Sequence, residues 1–531
     1  MRTKLIYFLG FLFCLAFLSS CEDKLDIQQQ GVTLMDDFYR TDADAQEAIA
    51  AVYNSWRGIQ YNDFFLKNLL SDDILAGGGS RGDNSQLEQI GEYQFGPTNT
   101  MISGYFSGLY AIIYRANLVI KHFPADSTAT MTHAVADAKV ARGWAYFNLV
   151  TLWGEVPFVT EPLENASDHA APASKETIWA QIEQDYTDAI NSGALPERTF
   201  PMDTLQGRVS KQAAQAFLGK AQLFEGKYAE AAATLKKVID TEYFELIDNY
   251  GDVLRSVQDF GIENVFEFNS LNDPANAYIQ GNTILQIMLG WRSDHLTLYG
   301  YWMGGHDIYP MGWGFANPTA DAYNAFVQME GVNGYRLSNS IKTYQQVNAL
   351  CFWAPITINT GSYLYGHEGY FNWKWRFAGS EVIQNSWGFA TTNNYRVMRY
   401  SEVLLNAAEA ALRSGDEPTA RGYVNDVRRR AQLTELGAVT LDDIKKEKRL
   451  ELWCEGVRFQ DLVRWGDAAA ALANKGQKVP IFWGYNTDYT YKVEYPYTNS
   501  KYGFTEGKHN LLPFPELEKN ANPDLQQNPN W

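Results

Sequence analysis

The 531-residue sequence predicts a mainly α protein: a scaffold of helical hairpins carrying a large loop-rich, aromatic-rich insert with short β-strands. Three observations lead there. Apolar residues recur at three-and-four spacing up to about residue 240. From about 243 to 395 that period gives way to Gly, Asn, Tyr and Trp with short β-like runs. Helical periods return from Arg399.

The elements follow in chain order. Arg2 and Lys4 precede Leu5 to Leu18, apolar apart from Gly10. Fourteen residues suit the core of a secretory signal, whereas a spanning helix needs about twenty. Leu18-Ser19-Ser20-Cys21 then resembles a bacterial lipobox, which implies cleavage before Cys21 and acylation of it. We therefore expect residues 1–20 to be a lipoprotein signal and 21–531 a single domain, anchored by lipid without crossing the membrane. Glu22 and Asp23 resemble an acidic signal for the outward-facing surface of the outer membrane.

Five helices are expected next: Ala43 to Trp56, Leu109 to Phe123, Ala134 to Trp153, Thr177 to Ile190 and Val209 to Phe224. In "QAFLGKAQLFEGKYAEAAATLKKVI", Leu218-Gly219, Gly226, Tyr228 and Ala231 place small residues where a tetratricopeptide hairpin brings its helices close. "LLNAAEAALRSGDEPTARGYVNDV" repeats the plan through Ala407-Ala408, Gly415 and Ala420. The reading is a tetratricopeptide-like scaffold in three parts: N-terminal helices over 21–242, a ligand-binding insert over 243–395, and helices with an extended strap over 396–531. "NVFEFNS" and "APITIN" are the insert's expected strands.

Composition narrows the function. Without residues 1–20 the chain has 42 basic and 62 acidic residues, net −20. That argues against nucleic acid or an anionic lipid face as partner. Aromatic residues make up 14%, with 15 Trp and 32 Tyr, which suits cores, interfaces and sugar-binding platforms. Cys351 and Cys454 are either a disulfide or two buried thiols; two cysteines are no framework.

Several stretches, in order, resemble the SusD/RagB family of outer-membrane nutrient-binding lipoproteins: "LYAIIYRANLVIKHF", "RGWAYFNLVTLWGEVPFVTEPL", "GRVSKQAAQAFLGKAQLFEGKYAEA", "RYSEVLLNAAEA", "KKEKRLELWCEGVRFQDLVRWG" and the closing "LLPFPELEKNANPDLQQNPNW". The resemblance implies a scaffold of four tetratricopeptide-like hairpins. It also implies a partner, a SusC-like TonB-dependent outer-membrane barrel, and an oligosaccharide cargo, with peptides taken by some relatives. No catalysis and no cofactor are expected from it.

The candidate chemistry follows. "ILAGGGSRGDNS" matches a dinucleotide loop through Gly77, Gly79 and Gly82, and a nucleophile elbow through Gly78, Ser80 and Gly82. Both patterns need a strand before and a helix after. Ser71-Asp72-Asp73 and Gly82-Asp83-Asn84-Ser85 read instead as breaks around a flexible surface loop, with Asp73 and Arg81 placed to hydrogen-bond a ligand. Glu447 and Glu451, one helical turn apart, permit a glycosidase pair. Interleaved Arg449, Glu455, Arg458, Asp461 and Arg464 favour an ion-pair network. Seven scattered His show no metal-ligand spacing. "GWRSDHLTLYGYWMGGHDIYPMGWGFANP" is the expected binding segment, with Trp291, Tyr299, Trp302, Tyr309 and Trp313 as candidate platforms for the flat C–H faces of sugars. Tyr363, Tyr365, Tyr370, Trp373 and Trp375 alternate in "SYLYGHEGYFNWKW" and are read as packing.

Overall fold

The computed structural model describes residues 38–124, 127–163, 165, 168–198, 207–270, 284–297, 307–309, 311–350, 355–383, 391–486, 488 and 490–531. Cys21, Tyr299, Trp302 and Cys351, all named above, lie outside them.

The N-terminal part is helical where the apolar period places it: α1 (Asp42–Gly58), α2 (Gln60–Leu69), α3 (Ser85–Gly91), α4 (Thr100–His122), α5 (Ala129–Trp153), α6 (Lys175–Asn191), α7 (Lys211–Glu225) and α8 (Tyr228–Ile239). Side chains of Thr41, Asn84, Asn99, Thr128, Ser174 and Ser210 accept from first-turn N–H groups, which is why the helices start there. Gly226 closes α7 in the left-handed region at φ 87°. A Cβ on Gly219 would stand 2.5 Å from Leu235 Cγ, so the small residue does let α7 and α8 close up. A strand, β1 (Ile74–Gly77), precedes α3.

The insert contributes β2 (Asn264–Phe268), β3 (Phe315–Pro318), helices α9 (Ala320–Glu330) and α10 (Tyr335–Ser340), β4 (Leu364–Tyr365) and β5 (Tyr395–Arg399). After it come α11 (Tyr400–Arg413), α12 (Glu417–Arg430), α13 (Leu441–Glu451), α14 (Arg458–Trp465), and the strands β6 (Lys478–Tyr485) and β7 (Tyr491–Thr498). Among the described residues no helix is long and apolar enough to cross a membrane.

The helices stack in sequence, and the stack runs on from α8 directly to α11. Leu223, Ala231 and Ala410 form the buried joint between the α7–α8 and α11–α12 hairpins. The two hairpins, far apart in sequence, are thus neighbours in space. The insert leaves and returns at one place, since β2 pairs antiparallel with β5 from Asn264 opposite Arg399 to Phe268 opposite Tyr395. Its far side is tied down by β1 pairing with β3.

A buried charge network fastens the insert to the scaffold. Glu447 and Glu451 are both fully buried. Arg336 of the insert reaches Glu447 at 2.5 Å and Glu451 at 3.4 Å. Arg428 meets Glu447 at 3.0 Å, Arg399 meets Glu451 at 3.2 Å, and Arg430 also pairs with Glu451. This is the ion-pair network expected of that helix.

Two expectations need correcting. The Gly-rich loop at 78–84 does have a strand before it and a helix after it. That strand is one of an antiparallel pair, not part of a parallel βαβ unit, so neither phosphate-loop nor nucleophile-elbow architecture results. The part after 396 is not only helices and strap. The β6–β7 hairpin adds β4 to make a three-stranded sheet, ordered β7-β6-β4, which packs with the insert. Alternation in "KVPIFWGYNTDYTYKVEYPYT" carried that signal.

Candidate functional site

The three-stranded sheet has two unlike faces. Leu364, Phe482, Tyr491 and Val493 point into an apolar cluster with Trp291, Tyr344 and Phe371. Tyr365, Val479 and Ile481 are buried on the other face, beside the half-buried Tyr363, Trp483 and Tyr497. The Tyr363 and Trp483 rings lie 5.1 Å apart at 57°. This second face turns toward the loop at 78–84.

That loop is pinned. The Gly79 N–H donates to Asp83 Oδ2 at 2.7 Å, and the Gly82 N–H to Glu88 Oε1 at 2.8 Å. Arg81 donates from Nη2 to Glu92 Oε2 at 2.9 Å and from Nη1 to the Tyr365 hydroxyl at 3.0 Å, and its guanidinium lies 5.3 Å from the Tyr497 ring centre. The hydrogen bond accepted by Glu92 holds the Arg81 pKa above its ordinary value. Burial pushes Glu88 up, against the opposing pull of the Gly82 N–H and Arg81.

A second arginine sits on the same loop. Arg292 reaches Asp294 at 2.8 Å and Asp83 at 3.6 Å, and donates to the Trp313 carbonyl at 3.4 Å. A Cβ on Gly79 would stand 2.6 Å from Arg292 Nη2, so only glycine admits the guanidinium there. His295 Nδ1 is 2.6 Å from the Tyr363 carbonyl oxygen, and Asn359 donates to the Asp294 carbonyl at 3.0 Å. His295 thereby ties the segment carrying the polar cluster Asp83, Arg292, Asp294 and Asn359 to the backbone of Tyr363.

The sequence-predicted residues divide around this site. Arg81 belongs to it, and Trp313 adjoins it, half-buried against the main core. Tyr309 packs on Phe377 at 4.9 Å. Asp73 does not face a ligand: it is 2% exposed and bound to Arg449 at 2.9 Å, so it is part of the internal ion pairing. Trp291 is likewise a core residue, edge-on to Phe371 at 5.1 Å. Of the cluster read as packing, Tyr365 and Trp375 are buried as expected, whereas Tyr363 is half-exposed beside Trp483. Arg292, Asp83, Asp294 and Trp483 were missed, because their partners come from three distant segments.

Cys454 is buried with a free thiol whose pKa burial drives upward. Among the described residues no group of three or more His, Cys, Asp or Glu is placed to hold a metal ion.

Comparison with known proteins adds the wider frame. A laminarin binding SusD-like protein superposes with a TM-score of 0.77 at 28% identity, over 93% of this chain and 100% of that one. Surface glycan-binding protein A from Bacteroides thetaiotaomicron, solved in complex with laminarihexaose, shares the fold at TM-score 0.73 and 24% identity, over 92% and 100%. SusD-like protein P2 of Formosa agariphila is 25% identical over 483 residues, 86% of this chain and 90% of that protein. Residues 25–223 match the family model described as starch-binding associating with outer membrane, and residues 283–531 match the model of the SusD family. The two matches follow one another without overlap through most of the sequence, and the chain belongs to the SusD family.

Proposed function

We propose that this protein captures an oligosaccharide at the cell surface and hands it to a SusC-like TonB-dependent barrel, held at the outer membrane by lipid on Cys21. The observation that carries the reading is a pair of half-exposed rings, Tyr363 and Trp483, tied through His295 to the segment that carries the Arg292, Asp83 and Asp294 cluster. Sugars present apolar C–H faces ringed by hydroxyls that both donate and accept. Rings cover the faces at small entropy cost, while carboxylates accept from hydroxyls and a guanidinium donates to them. The laminarin binding relative supports the ligand class. The lipobox, the acidic surface and the family support the location and the barrel partner.

Calorimetry of the processed protein against glucan, xylan and mannan oligosaccharides and against peptides tests the proposal, with product analysis of each mixture. Glycan binding without cleavage is expected. A preference for peptides, or glycan cleavage by the pure protein, overturns it. Co-purification with a barrel from native membranes tests the partner.

A further inference from the structure

We infer that the glycan taken at this site is neutral and that sulfated or uronate-bearing chains are turned away; this rests on the glycan reading above. The reason is the charge already present around the two guanidinium groups. Arg81 is engaged by both Glu92 and Glu88, and Arg292 by both Asp294 and Asp83. Two cations among four carboxylates leave the site with a charge of −2.

Arg81 is 33% exposed, but its Nη groups are already taken by Glu92 and the Tyr365 hydroxyl, and around Arg292 the exposed members are the acids. Asp294 is 58% and Asp83 39% exposed at the side chain, against 20% for Arg292 between them. A sulfate or carboxylate seeking Arg292 has to displace an aspartate and then sit beside it, and like charges at such range are strongly unfavourable. A hydroxyl meets no such conflict, since it donates to an aspartate and accepts from the guanidinium while the pair stays intact.

Nothing nearby reverses the balance: Lys492, which stands 5.4 Å over the Trp483 ring, is itself paired with Glu494 at 3.9 Å. Residues 243–395 hold 13 acidic and 6 basic side chains, and the segments 271–283, 298–306, 351–354 and 384–390 contain neither Lys nor Arg. Three of the six, Arg255, Arg336 and Lys374, are buried in ion pairs with Glu381, Glu447 and Glu455. Besides Arg292 that leaves Lys342 and Arg376, which lie against the Trp373 ring at 4.3 and 5.0 Å from its centre.

The test is calorimetry of the full processed protein at low ionic strength. Neutral oligosaccharides (laminarihexaose and xylan- and mannan-derived chains) are compared with sulfated galactan, alginate and polygalacturonate oligosaccharides. At least one neutral chain is expected to bind, with every anionic chain weaker by about tenfold or more. In Asp83→Asn/Asp294→Asn, affinity for the anionic chains is expected to rise several-fold, and high salt to erase the gain. An anionic chain that binds the parent as tightly as any neutral one overturns the inference while leaving the glycan reading intact. If Lys342→Ala/Arg376→Ala abolishes that binding, the ligand lies at Trp373. Failure of both glycan classes to bind overturns reading and inference together.

Discussion

Arg336 of the insert donates to Glu447 of α13 at 2.5 Å, and neither side chain is open to solvent. The contact joins two segments that are 111 positions apart, and Glu451 one turn later takes a second bond from the same guanidinium at 3.4 Å. Burial alone raises the Glu451 pKa, but Arg430, Arg399, Arg336 and Lys374 more than offset it and hold the carboxyl well below its ordinary range. Removing one partner strands the others in a medium that solvates them poorly. Glu451→Ala is therefore expected to lower stability by about 3–5 kcal/mol. Asp442→Ala, which removes an exposed i,i+4 pair with Lys446, is expected to leave the denaturant midpoint nearly unchanged. Equal midpoints for the two variants would show that the network contributes nothing.

His367 sets a pH response of defined sign. Its ring lies between Phe371 and Phe482, its Nδ1 accepts from the Gly369 N–H at 2.9 Å, and burial pulls its pKa down to about 3. An unfolded histidine titrates near 6.5. Between these values the unfolded chain binds a proton that the folded chain refuses. The stability is thus full above about pH 6.5 and is lost as pH falls toward 3. Going from pH 7 to 5 is expected to cost about 2 kcal/mol through this residue. That part of the loss disappears in His367→Gln, measured by urea titration at both pH values. A His367 Cε1 proton resonance that titrated near pH 6.5 in the folded protein would contradict it.

The long helices were legible because a core demands apolar side chains every three or four residues. All five expected windows lie largely within observed helices, Ala134 to Trp153 wholly inside Ala129–Trp153. Of the joint, Ala231 was legible as a small residue of its hairpin, whereas Ala410 and the contact itself were not. The site was mostly hidden. Arg292 meets Asp83 across more than two hundred positions and lies near Tyr363 only through His295, and no local pattern encodes such pairings. Trp291 misled because richness in tryptophan marks cores and platforms alike.

Gly312 controls the geometry of the site from outside it. A Cβ at this position would overlap the backbone of Gly290, where Gly314 donates to the Gly290 carbonyl at 2.8 Å. Backbone cannot rotate aside as a side chain can. Gly312→Ala is expected to push the segments apart, cost about 1–3 kcal/mol, and shift Arg292 two residues along. Glycan affinity should drop with far-ultraviolet circular dichroism unchanged. Unaltered affinity would mean that Arg292 does not contact the ligand.

Cys21→Ser tests the tether. Without a thiol there is no thioether, and several acyl chains anchor far more firmly than one. The variant is expected in the soluble fraction and the parent in the membrane fraction, with intact-mass analysis showing acyl chains only on the parent. A membrane-bound Cys21→Ser protein would require another anchor.

Trp483→Ala addresses the ring platform directly. The side chain lies on the sheet face shared with Tyr363 and Ile481, its Nε1 donates to Glu494 at 3.1 Å, and Lys492 stands 5.4 Å over the ring. Only part of the ring is buried, so truncation removes little of the core, while a sugar stacked on it loses its apolar partner. Affinity is expected to fall about tenfold, equivalent to about 1.4 kcal/mol, with a smaller loss in Trp483→Phe, which keeps a flat face. Trp313→Ala, whose ring packs on the main core, is expected to cost stability as well as affinity. Parent-like affinity in both Trp483→Ala and Tyr363→Ala would remove this sheet face from the binding site and leave the loops around Arg292 alone to account for it.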